Sequence, residues 1–189
     1  MQEFENDISE CLEVLKKGGL ILYPTDTVWG IGCDATNETA VARIYRAKKR
    51  PDQKSMIVLV ADERDVLRYV AQADLQVFDY LRTVTKPTTV VYKDAIGLAS
   101  NLVSTDGSIA IRICSDHFCR QLLKRFRKPI VSTSANISGE QSPKNFAQIR
   151  DDIKTAVDYV VKYRQNDPTL SQPSTIIKWQ EDRPIILRP

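Results

Sequence analysis

Three short stretches of this sequence hold side chains that could bind and activate an anion. The first is YPTDTVWGIGCDA, residues 23–35. It follows an apolar run, and Pro24 ends that run, exposing Thr25, Asp26 and Thr27. Gly30 and Gly32 would allow close backbone approach and positive φ. A β-turn made of ordinary turn residues accounts for the same composition. The second stretch is Ala47-Lys48-Lys49-Arg50-Pro51, with Lys54 beyond. A point charge and a planar guanidinium two residues apart can converge on one anion, as a carboxylate plus a polyphosphate would require. The helix macrodipole also favours cations at a C-terminus, which explains the cluster without a ligand. The third is Ser132-Thr133-Ser134-Ala135-Asn136, where three hydroxyls and an amide follow an apolar run. Ligands of open α/β sheets sit at strand carboxyl ends, and such groups can cradle phosphate oxygens. An Asn/Ser turn with capping chemistry is the plainer reading. Arg112 inside SIAIRI and Arg188 at the end of PIILR add two strand-borne guanidiniums that could point at a common cleft.

Other chemistries are poorly supplied. The one histidine, His117, opens a predicted helix, where a surface or capping role suffices; any imidazole-based triad would have to use it. Cys11, Cys33, Cys114 and Cys119 form no C-x-x-C and read as buried thiols, not a zinc site or a disulfide framework. Gly30-x-Gly32 is half of a dinucleotide fingerprint, and neither G-x-x-x-x-G-K-[ST] nor G-x-S-x-G occurs. What remains is Lys, Arg, Ser, Thr, Asn and carboxylates, a set suited to phosphates and carboxylates.

The elements that must position these groups alternate along the chain. Helical spacing predicts helices over 7–17, ended by Gly18-Gly19, and over 37–48, capped by Asn37. Further helices are expected over 62–70, 74–84, 116–127 and near 146–153. Strands are expected over 20–23, 56–60, 88–92, 108–113 and 129–135, with the last ones in YVVKY, STIIKW and PIILR. The 189 residues fit one domain, 1–189, with no room for an additional C-terminal domain. With 42% hydrophobic and 27% charged residues, the chain can build a core. The expected fold is α/β (α+β), a twisted, mixed open sheet flanked by helices. A net charge of +3 suits an anionic ligand without marking a dedicated nucleic-acid binder. The acidic, polar start is no signal peptide, and no apolar run nears the ~20 residues of a membrane span. A cytoplasmic protein with no membrane partner is expected.

In this order, the segments resemble the YrdC/TsaC family of threonylcarbamoyl-AMP synthases, from Gly18 to Pro189. YPTDTVWGIGCDA is similar to the family's P-T-[DE]-T-x-x-G-[LIV]-G block, Lys48-Lys49-Arg50 to its K-x-R element, and Ser134-Ala135-Asn136 to its S-x-N element. SIAIRI, Pro173-Ser174-Thr175 and Leu187-Arg188-Pro189 resemble later blocks. Thr85-Lys86-Pro87-Thr88-Thr89 departs from the family's P-G-P-x-T, keeping the second Pro and the last Thr.

The resemblance implies a YrdC-like fold and an enzyme that joins L-threonine, bicarbonate and ATP into threonylcarbamoyl-AMP and pyrophosphate for tRNA modification. It implies Lys48, Arg50, Ser134 and Asn136 as catalytic. Thr25, Arg112, Ser132 and Ser174 would hold threonine. Lys48, Arg50, Lys54, Ser108, Ser134, Asn136, Ser142 and Arg188 would surround ATP. Mg²⁺ would accompany the triphosphate, with no protein ligand named. Proteins that transfer the threonylcarbamoyl group, and tRNA or double-stranded RNA, are the implied partners. Two alternatives stand beside it: an RNA-binding maturation factor without nucleotide turnover, and another carbamoyl- or acyl-adenylating enzyme on the same fold.

Overall fold

The computed structural model describes residues 3–50 and 56–189. Helix α1 (Glu5–Lys16) buries Ile8, Cys11 and Leu15, the apolar stripe of its sequence. Strand β1 (Ile21–Tyr23) follows and turns back as β2 (Gly30–Gly32). Helix α2 (Glu38–Ala47) is capped by Asn37, whose side-chain oxygen accepts from the Ala40 amide at 3.0 Å. Then come β3 (Ile57–Val60), α3 (Glu63–Tyr69), α4 (Gln76–Thr83) and β4 (Thr88–Tyr92). A 3-10 turn at Ser100–Leu102 leads to β5 (Ile109–Ile113), α5 (His117–Phe126) and β6 (Ile130–Ser134). A 3-10 turn at Phe146–Gln148, α6 (Asp151–Thr155), β7 (Tyr159–Val160), β8 (Thr175–Gln180) and β9 (Arg183–Arg188) complete the chain.

The strands form one mixed sheet in the order β7-β1-β2-β6-β3-β5-β4-β8-β9. Register decides which side chains share a face, because paired residues point the same way and alternate along each strand. Gly30 pairs with Ser134, Ser132 with Ile57, and Ile57 with Ala110. Arg112 is two residues from Ala110. Ala110 pairs with Val91, Thr89 with Ile176, and Ile176 with Arg188. Ser132, Ser134, Arg112, Thr89 and Arg188 therefore stand on one face of the sheet, brought together from four strands distant in sequence.

Two sequence expectations are corrected. The glycines of the first stretch lie in a strand, β2, and neither has positive φ. They are small because neighbours occupy the space: a Cβ on Gly32 would lie 2.7 Å from the Val131 carbonyl oxygen, and one on Gly30 2.9 Å from the Ser132 hydroxyl. The helix expected near 146–153 is two short pieces, since Ile149 between them is extended and buried in the core. Asp116 caps α5, accepting from the Cys119 amide at 2.9 Å, and His117 beside it is exposed, in keeping with a surface role. All four cysteines are free and buried, as expected. Among the described residues no helix is long and apolar enough to cross a membrane.

Candidate anion-binding site

On the face defined above lies an open cavity of about 190 Å³. Arg50, Arg112, Ser132, Ser134, Ser142, Ser174 and Arg188 line it, so seven of the sequence-identified residues meet there. Each is delivered by a different device. Arg112 comes from the middle of β5 and Arg188 from the last position of β9. Ser132 and Ser134 project from β6 at the period-two spacing of a strand. Arg50 lies just beyond α2, where Lys49 at φ 48° reverses the chain.

The cavity concentrates positive charge. Arg112 is only 3% exposed and lies beside the buried Asp26 carboxylate, with Nη2 3.0 Å from Oδ1. The N–H bonds do not aim along that line: Nε and Nη2 of Arg112, and Oδ1 of Asp26, have no hydrogen-bond partner among the described residues. Distance alone therefore makes the ion pair, and two buried donors are left for something else. Such donors are costly to leave unpaired, about 1–3 kcal/mol each. The other Asp26 oxygen accepts from the Ser115 amide at 3.2 Å and the Ser115 hydroxyl at 3.3 Å. Asp26 pairs with Arg112, the most deeply buried of these guanidiniums. Burial lowers the pKa of Arg50, and burial followed by the charge of Arg112 lowers that of Arg188. An anion in the cavity relieves both penalties.

Ser174 is fixed from two sides. Arg188 donates to its carbonyl from Nε at 3.2 Å and Nη2 at 2.8 Å, and its hydroxyl shares a 2.8 Å hydrogen bond with that of Thr89. Thr89 is the last residue of the Thr85–Thr89 segment that departs from the family pattern. The departure leaves this contact in place, and Thr175 still donates to the Pro87 carbonyl at 3.0 Å.

The remaining sequence candidates stand elsewhere. Lys48 is 1% exposed and forms part of the wall, not of the lining. Its ammonium donates to the carbonyls of Ser134 and Asn136, the latter at 2.5 Å, while its own carbonyl accepts from the Ser138 amide at 2.8 Å. The basic pair and the hydroxyl–amide pair thus meet directly, through Lys48 bracing the end of β6. Burial, with Arg50 nearby, pulls the Lys48 pKa down to about 7. The Asn136 amide nitrogen is turned onto the carbonyls of Ile137 at 2.9 Å and Glu140 at 2.8 Å, which closes the loop that brings Ser142 to the cavity. Thr25 is buried as well. Its hydroxyl donates to the Val28 carbonyl at 2.8 Å and accepts from the Thr27 amide at 3.0 Å, so it shapes the turn that presents Thr27 to the cavity. Ser108 precedes β5 outside the lining and donates to Asp106 at 2.6 Å. Lys54 lies outside the described residues.

Sequence reading alone missed Met56, Ile57 and Ile176 in the lining, and missed Asp26 as the partner of Arg112. Thr27 and Thr133 stood inside the stretches already singled out. The apolar floor gave no signal, because strand residues facing a ligand and strand residues facing a core read alike. The Arg112–Asp26 pairing spans residues too far apart in sequence for any local pattern. Among the described residues no cluster of His, Cys, Asp or Glu could hold a metal ion.

Comparison with known proteins identifies the family and the fold. A family model described as "Telomere recombination", covering Sua5, YciO and YrdC proteins, matches residues 13–189. A threonylcarbamoyl-AMP synthase of Idiomarina loihiensis is 33% identical over 148 residues, 77% of this chain and 80% of that one. The threonylcarbamoyl-AMP synthase of Pseudoalteromonas translucida is 31% identical over 175 residues, 91% of this chain and 92% of its own. Among solved structures, P. abyssi Sua5 complexed with L-threonine matches with a TM-score of 0.87 at 24% identity, covering 100% of this chain and 55% of that one. This last likeness is one of fold, over about half of the longer protein.

Proposed function

The chain belongs to the Sua5/YciO/YrdC family, and from that premise we propose that it is an L-threonylcarbamoyladenylate synthase, a nucleotidyltransferase acting in the cytoplasm in support of tRNA modification. The observation that carries this reading is the convergence of Arg50, Arg112 and Arg188 with four serine side chains on one cavity. Names carried by the relatives and the threonine complex of P. abyssi Sua5 support the same substrate set.

Arg112 holds the threonine carboxylate, and Ser132 and Ser174 complete that pocket. Thr25 contributes through the turn it fixes. Threonine's amino nitrogen attacks bicarbonate carbon, and loss of water gives the carbamate. A carbamate oxygen then bonds to the α-phosphorus of ATP while the bond to the bridging oxygen breaks, and pyrophosphate leaves. Negative charge grows on the phosphoryl oxygens and on the leaving group. Arg50 and Arg188 face that charge, with the Ser134 and Ser142 hydroxyls. Lys48 and Asn136 act by bracing the loop after β6. No proton shuttle by imidazole is needed; positioning and electrostatics suffice. Mg²⁺ would accompany ATP and would offset charge on its phosphates; among the described residues no carboxylate lines the cavity to hold it.

The test is pyrophosphate release from ATP by purified protein. Release is expected only when L-threonine and bicarbonate are both present. Release that continues without either one, or none with both, contradicts the assignment.

A further inference from the structure

We propose that a second cavity, separate from the one above, binds a small organic phosphate carrying an apolar or flat body. This inference does not rest on the proposed reaction. The cavity has a volume of about 470 Å³ and opens between the ends of β3 and β5, the start of β4 and the first turns of α3 and α5. Its size falls in the range of small-molecule pockets, about 300–1,000 Å³.

The charges around it do not cancel. Glu63 is taken up by Arg82, which donates to it from Nη2 at 2.7 Å and from Nε at 3.1 Å, and Arg82 also reaches Asp79 at 2.6 Å. Asp26, which also lines this cavity, is paired with Arg112 and accepts from Ser115. Asp62 caps α3, accepting from the Asp65 amide at 3.2 Å. Arg64, Lys86 and Arg120 remain. All three line this cavity, and among the described residues none makes an ion pair or a side-chain hydrogen bond. Four cations against three carboxylates leave the lining with a net positive charge, and Arg64, Lys86 and Arg120 are the cations free to meet an anionic group such as a phosphate monoester.

The rest of the wall is apolar. Leu81, Val84, Pro87 and Ile113 line the cavity as half-buried side chains. Inorganic phosphate would leave that surface wet, whereas a ligand with a body would cover it. Geometry therefore assigns the phosphate to Arg64, Lys86 and Arg120, and the body to the apolar side.

AMP and inorganic phosphate are the probes, each titrated into isotope-labelled protein and followed by amide NMR shifts. AMP should produce saturable shifts at Arg64, Lys86, Ile113 and Ser115, and should bind more tightly than inorganic phosphate. A double variant, Arg64→Ala with Arg120→Ala, should weaken AMP at these signals by about tenfold or more, as loss of two charge-assisted contacts requires. Both residues are exposed and unpaired, so the variant should fold. Arg50→Ala should leave these shifts unchanged. Shifts confined to the surroundings of Arg50 and Arg188, equal affinity in the double variant, or phosphate binding as tightly as AMP would each overturn the proposal.

Discussion

Arg112 shows how one residue can serve both the fold and the proposed chemistry. Its charge is buried against Asp26, yet two of its donors remain unspent. Replacing Arg112 by Gln should destabilise the protein by about 3–5 kcal/mol, because Asp26 is left charged and buried without its partner. Adding Asp26→Asn should recover much of that stability without restoring threonine binding. Urea unfolding and threonine titration of the single and double variants separate the two effects; recovery of binding in the double variant would refute a direct role for Arg112. The two glycines of β2 make a second contrast at this scale. A Cβ on Gly30 meets a hydroxyl that can rotate away, and a Cβ on Gly32 meets backbone. Gly30→Ala should therefore raise the KM for threonine with a stability change below about 1 kcal/mol, while Gly32→Ala should cost several times more stability. Thermal unfolding of the two variants with steady-state kinetics checks this. The residue types at the site were legible in the sequence, since Arg112, Arg188 and the serines stood out against apolar strands. Their placement was less so: Lys48 and Asn136 look like ligand-facing groups, yet both hydrogen-bond to backbone carbonyls beside the lining, because a side chain's direction is set by tertiary packing.

Elements were legible where local chemistry is self-sufficient. Asn37 announces α2 and caps it, and Asn37→Ala should cost about 1 kcal/mol in chemical unfolding, with the loss confined to stability if the cap is its only function. Strand β2 was not legible, because two of its three residues are glycine and strand propensity comes from side chains that pack. It exists because β1 and β6 sandwich it and leave no space for a Cβ. Helical spacing after residue 145 misled for a related reason: Ile149 is drawn into the core in extended form, and that burial outweighs continuing the helix.

At the scale of the molecule, the site depends on strand order, and strand order is what no local pattern encodes. Alternation predicted most strands, but only the register through β2, β6, β3, β5, β4, β8 and β9 puts Ser134 and Arg188 on one face. The cost of assembling it shows in Lys48. Its pKa falls from 10.5 unfolded to about 7 folded, so between these values the unfolded chain binds more protons. Stability should then rise with pH through that window and lose the full penalty only near its top, an effect on the order of a few kcal/mol. The buried thiols pull the other way, since Cys11, Cys33 and Cys119 all have raised pKa values and resist ionising above their ordinary range. Comparing the protein with Lys48→Met across pH 7–9 cancels the thiols; the wild-type slope should be the more positive, and equal slopes would mean that Lys48 is charged at all these values.

The most direct measurement supplies ATP, L-threonine and ¹³C-labelled bicarbonate to the protein and reads the product by mass spectrometry. The account predicts an adenylate that contains threonine and one labelled carbon, formed together with pyrophosphate. An adenylate without the label, or ATP converted only to ADP and phosphate, would contradict it.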